Sequence, residues 1–144
     1  MVPAGISAFL VEKKTLTLAA AKKMAEAAEA EAARNNWRVV IAVADDGGEI
    51  LVLHRMDGAQ LGSIEIAEAK ARTALRYRRP SMAFAQLLRS GNTHVLRLPG
   101  VLPSGGGLPV EIEGLIVGAI GVSGATSEED EQCADAGIAA LRGR

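Results

Sequence analysis

WRVVIAVADDGGEILVLHRMDG, residues 37–58, sets two runs of aliphatic and β-branched side chains on either side of a turn. Residues 39–44 and 49–56 have strand composition. Between them, Asp45-Asp46-Gly47-Gly48 offers glycines for the positive φ that a tight hairpin needs. The elements on both sides of this hairpin read as helices. Upstream, Thr17 is placed to cap a helix in which Ala20, Met24, Ala27, Ala28 and Ala32 recur at helical spacing, with Leu16 and Ala21 as a staple and Asn35-Asn36 as the stop. Downstream, a helix is expected from Ser63 to Tyr77. Pro80 interrupts it, and Ser81 restarts a short helix to about Ser90.

Residues 91–107 read as a long loop ending in three glycines. LPVEIEG and GLIVGAIGVSG then read as two strands joined at Glu113-Gly114, and Thr126 with Glu129 forms a capping box for a last helix to about Leu141. The order is α-β-β-α-(α)-β-β-α. No helix separates every pair of strands, so the expectation is a single α+β domain over residues 16–144, a mainly antiparallel sheet with helices on its faces, preceded by an arm of residues 1–15.

With 144 residues the chain is one domain by length. Its residues are 49% hydrophobic but only 3% aromatic, so the core is built from small aliphatic side chains. A formal charge of −1 with interspersed signs argues against nucleic-acid binding, which needs a basic stripe. No apolar run is long enough to span a bilayer, and the N-terminal residues lack the pattern of a signal peptide. The single cysteine, Cys133, fits a cytoplasmic protein and makes no internal disulfide; without CxxC or HxxxH a structural zinc site is not expected.

LTLAAAKKMAEAAEAEA, IAVADDGGEILVLHRMDGA, GSIEIAEAKARTA, GGLPV and VGAIGVSGATSEEDEQCADAGIAAL together resemble the GlcG/HbpS-like proteins, a heme-degrading-type domain that also forms the C-terminal half of PduO cobalamin adenosyltransferases. The resemblance covers residues 16–141. It implies a profilin-like fold, a homo-oligomer, and a ligand such as heme or a related tetrapyrrole, with some relatives linked to iron or to small-molecule catabolism.

Candidate site residues follow from both sources. Glu65 and Glu68 project from one side of a helix and can hold a cation through oxygen; alternatively Glu65 complements the helix N-terminus and Glu68 pairs with Arg72. Lys70 matches the basic residue of the family pattern and is read as facing a pocket that it shares with Gly105, Gly106, Gly107 and Pro109, or else as a surface lysine. The glycines let backbone amides approach a flat ligand, or simply form a turn. The resemblance carries GGLPV over as a family segment, with Val110 in place of isoleucine. Arg55 and Asp57 end the second strand, where ligands are often held; the other reading of Asp57 is a turn residue. His54 faces the core or a neighbouring subunit. His94 has the chemistry of a general base or an iron ligand, or is a solvated loop residue. Ser123 and Thr126 stand at a helix entry, and Cys133 reads as buried and inert.

Two functions compete. One is a binding protein for heme or a related tetrapyrrole, with its pocket between the 63–77 helix and the 105–109 glycine loop. The other is a cofactor-independent isomerase, hydratase or lyase for a small carboxylated catabolite, with Arg55 and Lys70 holding the carboxylate and His94, Glu65 or Asp57 moving the proton. A third reading is an assembly partner with no ligand.

Overall fold

The computed structural model describes residues 3–143; Met1 and Val2 of the expected arm, and Arg144, lie outside the described residues. Four helices and four strands follow the expected order: α1 (Leu18–Arg34), β1 (Val40–Asp45), β2 (Ile50–Arg55), α2 (Gly62–Tyr77), α3 (Met82–Arg89), β3 (Gly107–Ile112), β4 (Leu115–Ser123) and α4 (Ser127–Leu141). Two short 3-10 turns are added, at Ser7–Phe9 and at Thr93–Arg97 inside the expected long loop.

The boundaries have local causes. Thr17 accepts a hydrogen bond from the Ala20 amide, and α1 stops where Asn36 turns left-handed at φ 62°. Gly48, at φ +86°, is the glycine that turns the β1–β2 hairpin. Thr126 and Glu129 cap α4 reciprocally.

The sheet order is β2-β1-β4-β3, antiparallel throughout. Both faces of its centre are covered. Val39, Ile41, Val43, Ile120 and Val122 pack with Met24, Ala28, Cys133 and Ala134 under α1 and α4. Val40, Ala42, Ala44 and Ala119 meet Ala67, Ala71 and Ala74 of α2 on the other face. That is why residues 39–44 are an unbroken apolar run. A strand with one wet face would alternate. The alanine lining brings α2 very close to the sheet, a geometry on which the site depends.

Candidate functional site

Lys70 sits mid-way along α2 and is 2% exposed. Its Nζ donates to the carbonyl of Val122 and to Oδ2 of Asp130 in α4, each at 3.0 Å. Asp130 is equally buried, and its Oδ1 accepts from the Ala125 amide at 2.9 Å. Burial pushes the Asp130 carboxyl above its ordinary value, while the Lys70 charge and the Ala125 and Gly124 amides pull the other way. The pair ties α2 to α4 past the end of β4.

The three glycines fit around this pair. The Gly107 amide donates to Ser81 Oγ at 2.8 Å, and its carbonyl accepts from the Ser81 amide at 2.9 Å. The Gly106 carbonyl accepts from the Val122 amide at 3.0 Å. A methyl on Gly106 would lie 2.9 Å from Asp130 Cβ and 3.0 Å from Lys70 Nζ; one on Gly107 would lie 2.6 Å from the Lys70 carbonyl carbon. At Gly105 the neighbour is the thioether sulfur of Met82, 2.9 Å from where a Cβ would be. The expected cavity shared by Lys70 and Gly105–Gly107 is therefore corrected: the groups are adjacent, but protein atoms close the space between them. Burying an ammonium requires a paired carboxylate and tight backbone approach, and both are satisfied internally.

The remaining expected residues are dispersed. His94 is exposed on the 3-10 turn after α3, and Arg55 and Asp57 are exposed at the end of β2 and in the following turn. The Asp57 carbonyl accepts from Arg38 Nη1 at 2.9 Å. His94, Lys70 and Asp57 line neither the cleft beside α2 nor the two grooves beside the β3–β4 hairpin, and among the described residues Lys70 is buried while His94 and Asp57 are exposed on separate turns. His54 Nδ1 lies 3.0 Å from Glu29 Oε1 and bridges β2 to α1. Ser123 donates to Ser63 Oγ inside the protein. Burial pushes the Cys133 thiol to about 12, which leaves it unreactive at neutral pH. Pro109 is half-buried and faces a different groove, beside Lys13, Lys14 and Arg78.

Glu65 and Glu68 do line a cleft. It is open, about 580 Å³ in volume, and bounded by α2 on one side and residues 100–102 on the other. On α2, Glu65, Glu68, Arg72 and Arg76 follow one another at i, i+3, i+7 and i+11 and form a single charged stripe. Arg72 Nε donates to the Gly48 carbonyl at 2.9 Å and Nη1 to Glu68 Oε2 at 3.4 Å, so its plane is fixed. Arg76 is exposed. Ala69, Val101 and Leu102 supply the apolar surface, and Glu49 stands at the hairpin end.

The opposite wall is held by Thr73, a buried hydroxyl. Its Oγ1 shares a proton between the carbonyls of Ala69 (2.8 Å) and Gly100 (3.1 Å) and accepts from the Leu102 amide at 2.9 Å. Tyr77 also donates to the Pro99 carbonyl. The two carboxylates were legible in the sequence as site residues; Arg76, Val101 and Leu102 were not among the residues expected there. The arginine was legible as a continuation of the stripe. The loop wall had no local signal, because a threonine hydroxyl from a distant segment positions it. Among the described residues, no cluster of three or more His, Cys, Asp or Glu could hold a metal ion, so Glu65 and Glu68 stand as a pair.

A family model described as "Haem degrading protein HbpS-like" matches residues 16–139. GlcG of Escherichia coli strain K12 is 41% identical over 111 residues, covering 77% of this chain and 83% of GlcG. A doubly substituted HbpS from Streptomyces reticuli, with two glutamates three positions apart changed to aspartate, superposes with a TM-score of 0.86 at 40% identity, covering 92% of this chain and 91% of that one. The structure of a PduOC:heme complex gives a TM-score of 0.80 at 28% identity, covering 88% and 94%.

Proposed function

The chain belongs to the HbpS-like family of heme-degrading proteins, and from that premise we propose that it binds a small carboxylated ligand, heme or a related tetrapyrrole, in the cleft between α2 and residues 100–102. The observation that carries this reading is the pairing of two guanidinium groups, Arg72 and Arg76, with an apolar wall of Ala69, Val101 and Leu102 in one cleft. Its volume falls within the range of small-molecule sites, roughly 300–1,000 Å³. A tetrapyrrole needs this combination: cations for its carboxylates and hydrocarbon for its faces. A heme-bound relative supports the ligand class.

The fit is to the periphery of the ring, not to its metal. Heme iron is held in proteins by His, Cys, Met or Tyr, and none of these lines the cleft. Recognition then rests on carboxylates and apolar contact. Titration with hemin and with metal-free protoporphyrin should give saturable binding of both with similar affinity. Arg76→Glu is expected to weaken each by about tenfold, roughly 1.4 kcal/mol. Absence of saturable binding, or an unchanged affinity in the variant, overturns the proposal.

Glu65 and Glu68 favour a second role, holding an iron ion at the same cleft. Their spacing equals that of the glutamates altered in the Streptomyces reticuli protein, and both carboxylates line the cleft. Two carboxylates leave most of a cation's oxygen shell to water, so the affinity should be modest. Calorimetric titration with ferric or ferrous ion should show one site per chain, lost in a Glu65→Gln/Glu68→Gln variant. Binding that survives the double substitution rules these residues out.

A further inference from the structure

The near-zero total charge of the chain conceals one uneven stretch. Between Glu68 and Glu111 there is no Asp or Glu, while Lys70 and six arginines fall there. Lys70 is buried against Asp130, and Arg72 is tied to Glu68. The other five, Arg76, Arg78, Arg79, Arg89 and Arg97, are exposed, and among the described residues none of them forms an ion pair.

Arg79, Arg89 and Arg97 belong to an outlying lobe made of α3 and the 3-10 turn at Thr93–Arg97. The lobe is held by its inner side. Met82, Phe84, Ala85 and Val95 are buried, and the Phe84 ring meets Tyr77 edge-on. The Leu87 carbonyl accepts from the Asn92 amide at 3.0 Å and from its Nδ2 at 3.1 Å, which folds the turn back along α3. The solvent side keeps two leucines in water: Leu96 is 65% and Leu87 36% exposed. Arg89 follows Leu87 by two residues, Arg97 follows Leu96 directly, and the Arg79 guanidinium lies 5.6 Å from the centre of the Phe84 ring.

Complementing a helix C-terminus accounts for Arg89 and Arg97 singly. It does not account for the leucines left in water beside them, nor for the missing carboxylates. A soluble protein partner presents both signs, so acids among the arginines would serve it; a uniformly anionic plane selects against every one. Nucleic acid is uniformly anionic too, but its phosphates offer hydrocarbon no place. A bilayer surface offers both, phosphates at headgroup level and acyl chains beneath.

We propose that the α3 lobe docks on an anionic lipid surface, with Leu87 and Leu96 entering the interface and Arg79, Arg89 and Arg97 held at the headgroup phosphates. Long arginine stems keep the guanidinium at the phosphates while apolar neighbours go deeper. No helix among the described residues is long and apolar enough to cross a membrane, so the contact is peripheral. Each arginine near such a surface strengthens binding about fivefold, which makes the attachment reversible and salt-dependent.

Co-sedimentation with large vesicles tests this. The full chain should bind vesicles that are roughly one-third phosphatidylglycerol and not vesicles of phosphatidylcholine alone. Arg89→Glu/Arg97→Glu, at exposed positions, should keep the circular dichroism of the folded chain and lose binding by about tenfold or more. Neither residue lines the α2 cleft, so the hemin titration should not change in this variant. Leu96→Trp should shift its emission to the blue when anionic vesicles are added, against a constant Trp37 background. A wild-type chain that does not bind anionic vesicles, or a charge-reversed variant that binds as well as wild type, overturns the proposal. So does a Leu96→Trp emission that stays that of a solvated indole while the protein sediments, for the leucines then remain outside the lipid and the arginines serve a soluble acidic partner.

Discussion

Lys70→Met is expected to destabilise the protein by about 3–5 kcal/mol at pH 7, the cost of leaving a buried carboxylate without its counter-charge. The ammonium is held by Asp130 Oδ2 and the Val122 carbonyl, and both Lys70 and Asp130 are 2% exposed. Methionine keeps most of the hydrocarbon volume, so the loss reports the charge and its hydrogen bonds more than a cavity. The pH dependence gives the cause a signature. Burial already raises the Asp130 carboxyl, and the Lys70 charge is the largest influence opposing it. Without that charge the folded state takes up a proton at a pH where the unfolded chain has lost it. Stability of the variant therefore falls as pH rises through the interval between the ordinary carboxylate value, about 4, and the raised folded value, and it recovers as pH falls back through it. Chemical denaturation at a series of pH values measures this directly. Adding Asp130→Asn, which removes the charge but keeps an acceptor for the Ala125 amide, should restore about 2 kcal/mol of the loss. A Lys70→Met cost below 1 kcal/mol with no pH dependence would show that the pair contributes little.

Gly121→Val should be nearly as damaging, for a purely steric reason. Gly121 lies on the α2 face of β4, where a Cβ would overlap the Ala67 carbonyl and come within 2.6 Å of the Ala71 amide nitrogen. Both obstacles are helix backbone and cannot rotate aside. The only relief is to lift α2 from the sheet, which also strains the Lys70–Asp130 tie and the Gly107–Ser81 clamp. Overpacking of this kind costs about 3 kcal/mol, and for a domain of this size the melting temperature should drop by roughly 10 °C. A thermal scan of Gly121→Ala and Gly121→Val should show a graded loss, larger for valine. If alanine is tolerated with no change in melting temperature, α2 is free to move away from the sheet. The ligand-binding tests can then be read against these variants, since Arg76→Glu alters an exposed side chain and should leave stability intact.

Much of the architecture was legible along the chain because its causes are local. A hairpin needs a residue such as Gly48 at positive φ, α1 and α4 need the caps that Thr17 and Thr126 provide, and Pro80 separates α2 from α3; each acts within a few residues. The charged stripe of Glu65, Glu68 and Arg72 was also readable, because helical spacing alone puts those side chains on one side. From these signals followed the element order and the antiparallel sheet.

Other properties depended on groups far apart in sequence. Lys70 could be read as a ligand contact or a surface lysine until Asp130, 60 residues away, was brought against it. The three glycines could be a ligand loop or a turn until Met82, Asp130, the Lys70 side chain and the α2 backbone were seen to occupy the space their missing side chains leave. The wall at 100–102 belongs to the cleft only because Thr73 reaches back to hold it. Local sequence sets conformation through propensity, capping and turn chemistry, and these ranges are short. Burial of a charge, closeness of two backbones and the opening of a cleft are set by whichever distant segments the fold packs together, and so they were decided in three dimensions.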